Sequence, residues 1–275
     1  MVTGASDGIG AVTASRLAGR GATVITVGRN PAKLEAVADR IRSDGGAVEP
    51  HAVDFGSLDA VRALADTIVA GHDRIDVLVN NAGLTMEQRT LSADGFEMTF
   101  AVNHLAPFLL TNLLLPRLVA AAPARVVTTS SVTMLKARVD FDDLQSERGY
   151  GRMKTYGMSK LCNVLFTREL GRRFDPARLT ANCLHPGSVR TQIMRGKGLL
   201  SQIATGIGGL VLISPEKGAE TIVFLATDPS VAGTTGEYFV RSRSRPMPAA
   251  ALDEDAARRL WDVSASLVGL PAGDP

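Results

Sequence analysis

Residues 3–10 read Thr-Gly-Ala-Ser-Asp-Gly-Ile-Gly, a glycine-rich turn that opens a helix. Apolar residues recur at Ala14, Leu17 and Ala18, the spacing of a buried helix face. Glycines let a backbone approach a pyrophosphate, whose charge the helix N-terminus stabilises. Such a turn can also only close a strand–helix corner, but this context favours a dinucleotide site. Its predicted cofactor-binding residues are Gly4, Ser6, Asp7, Gly8, Ile9 and Gly10.

The strand expected before this turn is short. Only Met1 and Val2 precede it, whereas such a turn normally follows a full buried strand. We expect either a truncated first strand or a natural start upstream of Met1.

Strand and helix signals alternate along the whole chain. The strand patterns are Ala22–Val27, a segment ending at Asp54, Ile75–Val79, Arg125–Ser131, Leu179–Leu184 and Glu237–Val240. A long helical region over Phe96–Ala121 is expected to be interrupted or bent near Pro107. We therefore predict one α/β domain over residues 1–275, a Rossmann-type doubly wound parallel sheet with helices on both faces. Its cofactor half covers about residues 1–130, its catalytic and substrate half about 131–250, and an amphipathic helix about 253–268.

Composition limits the functional class. The chain has 275 residues, 45% hydrophobic and 21% charged, as expected of a globular protein with a large core. A net charge of +2, without a long Lys/Arg run, argues against a nucleic-acid binder. Two cysteines, Cys162 and Cys183, are predicted to be reduced core residues.

Four scattered histidines and the lack of a Cys-x-x-Cys pair argue against a metal site. We interpret His51, His72, His104 and His185 as structural. No signal peptide or membrane span is recognised, so a cytoplasmic location is expected.

Ligands of open α/β sheets bind beyond the carboxyl ends of the strands. After the second strand, an NAD site usually carries an acidic residue, but this chain has Arg29 and Asn30. The guanidinium of Arg29 can hold a 2′-phosphate, which favours NADP(H) over NAD(H); a solvated surface arginine is the alternative. Asp54 and Phe55 can contact the adenine amine, although Asp54 can equally start a helix.

Tyr156 and Lys160 lie four residues apart in a predicted helix and share one face. An ammonium near a phenol favours the phenolate, so Lys160 is expected to lower the pKa of Tyr156. Such a pair is more often a solvated helix face, and Tyr150 with Lys154 has the same spacing. Whether Tyr156 and Lys160 form a catalytic pair therefore depends on the polar residues that accompany them.

Three groups accompany the pair. Ser131 ends a buried strand, where a hydroxyl can point into the cleft or simply cap a turn. Asn103 lies where Pro107 breaks the helical hydrogen-bond ladder, so a water can bind there, or the helix is only kinked. The segment Asn80–Gly83 ends a strand and presents small residues and amides to a ligand, unless it is only a turn.

The chain resembles the short-chain dehydrogenase/reductase family along nearly its whole length. The matching motifs are Thr3–Gly10, Asp54, Asn80–Gly83, Asn103, Ser130-Ser131, Tyr156–Lys160 and Pro186–Thr191. Within the family it is most similar to the group of retinol dehydrogenases and WW-domain oxidoreductases, because Phe141–Gln145 lies in a long Ser131-to-Tyr156 interval. That alignment selects Tyr156 rather than Tyr150.

The resemblance implies a mechanism. Tyr156 acts as general acid or base, Ser131 donates to the substrate oxygen, Lys160 lowers the pKa of Tyr156 and binds the nicotinamide ribose, and Asn103 holds a water. Further expected cofactor-binding residues are Asn81, Ala82, Gly83, Asn103, Tyr156, Lys160, Pro186, Gly187, Val189 and Thr191.

The substrate-covering segment of such enzymes corresponds to residues 192–214, which are rich in Ile, Leu and Met. This favours a lipophilic alcohol, aldehyde or ketone, unless the segment only packs on the core or a subunit interface. A homodimer or homotetramer is expected by analogy. The alternatives to an oxidoreductase are a non-catalytic NADP-binding sensor or scaffold and a nucleotide-sugar epimerase or dehydratase.

Overall fold

Eight strands form one sheet within residues 1–187 and 213–271, the part of the chain that the computed structural model describes. The strands are β1 (Val2–Thr3), β2 (Val24–Gly28), β3 (Val48–Ala52), β4 (Val77–Asn80), β5 (Ala124–Thr129), β6 (Leu179–His185), β7 (Tyr238–Val240) and β8 (Arg243–Ser244). Their order is β3-β2-β1-β4-β5-β6-β7-β8. All neighbours run parallel except β8, which is antiparallel at the edge.

Helices connect these strands. They are α1 (Gly8–Ala18), α2 (Pro31–Ser43), α3 (Leu58–Gly71), α4 (Met98–Ala121), α5 (Arg152–Arg173), α6 (Pro215–Thr227), α7 (Ala249–Leu252) and α8 (Glu254–Leu267). The ends of the predicted elements agree within a few residues. Strand β8, helix α7 and a 3₁₀ turn at Val132–Lys136 were not predicted, because each is too short for a periodic pattern.

The sheet buries apolar residues on both faces, as the continuous apolar strands predict. On one face, Leu78 and Val126 pack with α3, α4, α5 and α8. On the other face, the next residues along the same strands, Val79 and Val127, pack with α1, α2 and α6. The predicted doubly wound Rossmann-type sheet is therefore confirmed.

The first strand is short but central. Val2 pairs with Thr26 of β2 on one side and with Val79 of β4 on the other. The strand is fully buried and two residues long.

Helix α4 is interrupted where the sequence predicts it. Residues Ala101–Leu105 form a π-helical turn, in which the N–H of Ala106 donates to the carbonyl of Ala101, five residues back. Pro107 follows directly and has no N–H to continue an α-helical ladder. The turn places Asn103 and His104 in the interior, both fully buried.

Helix α4 is also long and apolar enough to cross a membrane, by length and composition alone. The sequence analysis missed this because Asn103, Thr111 and Asn112 interrupt the apolar run without ending the helix. Of its most apolar window, 83% is buried inside the protein, so packing against the sheet and α5 accounts for its composition.

Candidate active site

The glycine turn is built by close backbone contact. Gly4 and Gly8 have positive φ of 67° and 55°, which favours glycine at both positions. A Cβ at Gly10 would lie 2.1 Å from the carbonyl oxygen of Gly4. Asp7 caps α1 by accepting from the N–H of Gly8, and its carboxylate pairs with Lys33 Nζ at 2.8 Å. The first-turn N–H groups of α1, including those of Ile9 and Gly10, suit an anionic ligand.

A buried hydroxyl joins this turn to the end of β4. Thr3 Oγ1 accepts from the N–H groups of Asn81 and Ala82, both at 3.0 Å, and donates to the carbonyl of Val79. The side chain of Asn81 donates to the carbonyl of Thr3 and accepts from Thr129 at the end of β5. The structure thus brings the predicted turn and the segment Asn80–Gly83 together. Thr3 and Thr129 were missed, because a lone threonine carries no signal in the sequence.

The carboxyl end of β2 carries Arg29 and Asn30, both exposed. Arg29 has no hydrogen-bond or ion-pair partner among residues 1–187 and 213–271. Asn30 caps α2 by accepting from the N–H of Lys33, so its side-chain oxygen is already engaged. Next to it, Ser6 lies against Gly28, where a Cβ would meet the Ser6 Oγ at 3.0 Å.

Asp54 and Phe55 follow β3 at the same edge. Asp54 is exposed and accepts from the N–H of Gly56 through one carboxylate oxygen, so it forms the turn before α3, whereas Ser57 caps that helix. Phe55 is 6% exposed and packs in the core, so only its backbone can face a ligand.

At the end of β6, Pro186 and Gly187 are half-buried, and Gly187 has a positive φ of 96°. Val189, Thr191 and most of the predicted substrate-covering segment 192–214 lie outside the described residues.

The predicted reactive pair lies in the first turns of α5, against the end of β5. The Ser131 hydroxyl hydrogen-bonds to Tyr156, and its oxygen accepts from the N–H of Thr133. Burial raises the pKa of Tyr156 to about 12, and the hydrogen bond from Ser131 offsets this only in part.

Lys160 is 3% exposed, and its Nζ donates to the carbonyl of Thr129 at 3.0 Å. The Nζ lies 5.7 Å from the centroid of the Tyr156 ring, and its own burial lowers the pKa of Lys160 to about 8. The predicted lowering of the Tyr156 pKa is therefore wrong for this structure. The reason is that burial destabilises the charged phenolate and the charged ammonium by more than their mutual attraction stabilises them at this separation.

Asn103 lies across from Lys160. Its side-chain amide donates to the carbonyl of Leu84 and to Ser159 Oγ, and its oxygen accepts from the N–H of Leu84. A Cβ at Gly83 would lie 3.2 Å from Asn103 Oδ1 and 3.3 Å from Lys160 Nζ. Gly83 therefore lies close to these two polar atoms, and a larger residue at this position would press against both.

Two further hydroxyls connect α5 with its neighbours, that of Ser130 after β5 and that of Ser159, which accepts from Asn103 of α4. Ser130 donates to the carbonyl of Lys160 at 2.8 Å, and Ser159 donates to the carbonyl of Tyr156 at 2.8 Å. Both lie beside predicted site residues, so adjacency in the sequence is the signal that pointed to them. Tyr150 instead donates to the carbonyl of Met86 and so has a structural role.

These features fit a dinucleotide: a glycine cradle that a Cβ would fill, an exposed Arg29 without a described partner, and the polar atoms beside Gly83. A sequence profile described as short chain dehydrogenase matches residues 1–199. The chain belongs to this family.

Within the family it falls in the group of retinol dehydrogenases. Human retinol dehydrogenase 13 is 42% identical over 280 residues, which cover 99% of this chain and 85% of the relative. Proteins of this family catalyse NAD(P)-dependent oxidoreduction, so the chain is an oxidoreductase of the short-chain dehydrogenase type.

Solved structures agree. An uncharacterized protein from Mycobacterium paratuberculosis has a TM-score of 0.79 and 35% identity, and the match covers 99% of this chain and 93% of that one. A short chain dehydrogenase from Shigella flexneri, complexed with NADP, has a TM-score of 0.70 and 28% identity, with 88% and 95% covered.

Proposed function

We propose that the protein transfers a hydride between NADP(H) and a lipophilic alcohol, aldehyde or ketone, with Tyr156 as the general acid or base. The observation that carries this proposal is the convergence of four side chains at one strand edge. Ser131 contacts Tyr156, and the polar atoms of Asn103 and Lys160 both lie beside Gly83.

The chain's own groups define the proton path. The hydride comes from the nicotinamide of the bound cofactor. Tyr156, protonated at neutral pH because its pKa is about 12, donates its proton to the carbonyl oxygen. Ser131 donates a hydrogen bond to the same oxygen and stabilises its developing charge. Lys160 orients the ribose and faces Asn103, where a water can deliver protons. The oxidative direction reverses these steps.

The preference for NADP(H) rests on charge at the end of β2. No carboxylate stands at residues 28–30, and Arg29 is exposed without a described partner. The carboxylate of Asp7, beside the glycine turn, is paired with Lys33. A 2′-phosphate therefore meets a guanidinium rather than an acidic side chain. The NADP-bound Shigella structure and the similarity in fold are consistent with this choice.

A lipophilic substrate is supported by exposed apolar side chains beside the reactive pair. Met153, 51% exposed, precedes Tyr156 by three residues on the same face of α5. Val132 and Leu135, 43% and 46% exposed, follow Ser131 on one face of the 3₁₀ turn. The similarity to retinol dehydrogenases points to the same chemical class.

The cofactor preference is tested by fluorescence titration with NADPH and NADH. We expect tighter NADPH binding in the wild type, and Arg29→Ala should weaken NADPH binding about tenfold or more without changing NADH binding, because a charge-assisted bond is lost. Arg20→Ala, an exposed arginine at the end of α1, is the matched control. Equal loss of both cofactors in Arg29→Ala would contradict the assignment.

The catalytic role is tested by Tyr156→Phe, with Tyr150→Phe as the matched control. Turnover of lipophilic aldehydes with NADPH should fall about 10²- to 10⁴-fold in Tyr156→Phe, because the proton donor is lost. NADPH binding should be retained, and Tyr150→Phe should stay active. Binding of NADPH without turnover of any carbonyl by the wild type would instead favour a sensor or scaffold. Tightly retained NAD in the purified protein would favour an epimerase or dehydratase.

Cytoplasmic location and assembly as a homodimer or homotetramer stay predictions from the sequence. Light scattering of the purified protein would test the assembly.

A further inference from the structure

His104 is a buried histidine for which the proposed mechanism has no use. It lies in the π-helical turn of α4, directly after Asn103, and is fully buried. Its ring stacks on Phe100 with centroids 5.2 Å apart and meets Phe108 and Phe166 at 6.1 and 6.4 Å. An apolar residue would fill such an aromatic cage without the cost of burying an imidazole, so the two ring nitrogens need an explanation.

One ring nitrogen contacts the C-terminal helix. The Nε2 of His104 lies 2.8 Å from the hydroxyl oxygen of Ser264 on α8, and both residues are fully buried. Helix α8 also packs on α4 and α5 through Trp261, whose ring lies 5.0 Å from Phe108 and 5.8 Å from Phe166. The imidazole of His104 therefore depends on the position of α8 for its hydrogen bond.

The other ring nitrogen faces Asn163 of α5. A hydrogen bond to Asn163 is the one interaction that favours charge on His104, yet by strict geometry Nδ1 of His104 and Oδ1 of Asn163 have no partner among the described residues. The two atoms are complementary, and each lacks another partner. We therefore take them as a facing pair slightly outside ideal hydrogen-bond geometry.

This contact fixes the proton on the imidazole. Burial lowers the pKa of His104 to about 3, so the ring is neutral at physiological pH and carries one proton. Because Oδ1 of Asn163 can only accept, that proton lies on Nδ1, and Nε2 accepts from the hydroxyl of Ser264.

Asn163 connects this pair to Lys160. Its amide nitrogen donates to the carbonyl of Thr129 at 3.3 Å, the same oxygen to which Lys160 Nζ donates at 3.0 Å. Asn163 and Lys160 lie three residues apart on α5, and both are buried. One carbonyl oxygen of β5 thus accepts from both the reactive lysine and the amide of Asn163, whose other side contacts His104.

The described groups that face Lys160 are uncharged, so none of them competes with the Thr129 carbonyl for its ammonium group. Burial is the sole cause of its lowered pKa. On its own helix it faces the phenol of Tyr156, and across Gly83 it faces the uncharged amide of Asn103. The carbonyl of Thr129 is the described acceptor of its ammonium group.

We propose that His104 is a positioning residue for Lys160, which it controls through the amide of Asn163 and the carbonyl of Thr129, and that Ser264 of α8 holds it in the required tautomer. This inference rests on the proposed function only in assigning Lys160 a role in turnover. Without the donor at Nδ1, the amide of Asn163 is free to turn its oxygen toward Thr129 and Lys160. A second acceptor near Nζ stabilises the ammonium, so the pKa of Lys160 rises.

The test uses two substitutions that both introduce a side-chain amide but place it at different distances from the backbone. Asn in place of His104 puts an amide at the distance of Nδ1, whereas Gln puts it at the distance of Nε2. We expect His104→Gln to raise the pKa of Lys160 by about one unit, and His104→Asn to keep it near the wild-type value. Trp261→Phe, which changes the same aromatic cluster without touching the hydrogen-bond chain, is the matched control and should leave the pKa unchanged.

The readout is the titration of ¹³Cε-labelled lysine by NMR, in which the Lys160 signal is assigned by its loss in Lys160→Arg. The apparent pKa in the pH profile of kcat should shift by the same amount as the pKa of Lys160, while the KM for the carbonyl stays the same. Equal pKa values in the wild type, His104→Gln and His104→Asn would overturn the proposal, and so would an equal shift in Trp261→Phe.

Ser264→Ala keeps the test decisive if the His104 variants do not fold. It removes only a hydroxyl, and we expect a shift in the same direction as in His104→Gln, of about half a unit. No shift in a folded Ser264→Ala protein would contradict the role of α8. If the wild type reduces no carbonyl, the proposed function fails, whereas the NMR titration still decides the role of His104.

Discussion

The glycine turn and the cluster around Lys160 lie at the same edge of the sheet, but backbone packing forms the first and side-chain hydrogen bonds form the second. In the turn, backbone approaches backbone, and a single Cβ at Gly10 would fall 2.1 Å from a carbonyl oxygen. Around Lys160, the buried side chains of Asn103 and Ser159 hydrogen-bond to each other, and that of Asn163 donates to the backbone. The turn depends on the absence of volume, whereas the cluster depends on the presence of polar partners.

This difference predicts opposite responses to mutation. Enlarging a residue of the turn should be severe, while removing a charge from the cluster should increase stability as it removes function. The following substitutions test the contrast, from the largest expected effect to the smallest.

Gly10→Ala should be the most damaging. Its Cβ meets the Gly4 carbonyl, a backbone group that cannot rotate away, so the turn has to move. We expect a loss of about 3 kcal/mol in the free energy of unfolding and at least a hundredfold weaker NADPH binding. Urea denaturation and fluorescence titration measure the two effects.

Gly71→Ala is the control for this substitution. Gly71 ends α3 and has open space around its Cβ position, so alanine should be neutral or slightly stabilising. If Gly10→Ala behaved like this control, close backbone contact would not define the turn.

Lys160→Met should stabilise the protein at neutral pH. The pKa of Lys160 is about 8 in the folded state, below the ordinary value of 10.5, so folding disfavours its charged form. The shift corresponds to about 3 kcal/mol, and loss of the bond to Thr129 offsets about 1, which leaves a gain of about 2 kcal/mol.

The sign of the pH dependence follows from the same shift. Between pH 8 and 10.5 the unfolded chain binds a proton at this lysine and the folded protein does not, so this group's contribution to wild-type stability falls as the pH is lowered. The advantage of Lys160→Met should therefore be complete below pH 8 and vanish above pH 10.5. Lys154→Met, exposed on the same helix, is the control. A stability loss in Lys160→Met at pH 7 would show that burial does not penalise this ammonium.

Lys33→Ala should have the smallest effect. Its ion pair with Asp7 is about half exposed on both sides, so the free energy of unfolding should change by less than about 1 kcal/mol. NADPH binding should weaken a few-fold at low salt and less at high salt, because the pair lies beside the glycine turn. Arg42→Ala, on the same helix but away from the turn, is the control. A large, salt-independent loss would mean that Lys33 contacts the cofactor directly.

Local patterns in the sequence determined the architecture. The alternation of strands and helices, the caps at Asn30 and Ser57, and the interruption of α4 near Pro107 depend on neighbouring residues only, so each was predictable before any tertiary contact was known. The position of Ser131 beside Tyr156 was implied by the resemblance to the family, because Tyr156 lies on a helix and not at a strand end.

The tertiary structure decided the burial and the long-range hydrogen-bond partners of those residues. Thr3 joins the turn to Asn81 across 78 positions, and His104 meets Ser264 across 160 positions, separations at which a single sequence shows no pattern. The same holds for the pKa of Tyr156. The spacing to Lys160 suggested that a charge would lower it, but burial, which depends on the whole fold, raises it. Residue order gives chemical identity and local geometry, whereas desolvation and long-range partners exist only once the chain has folded.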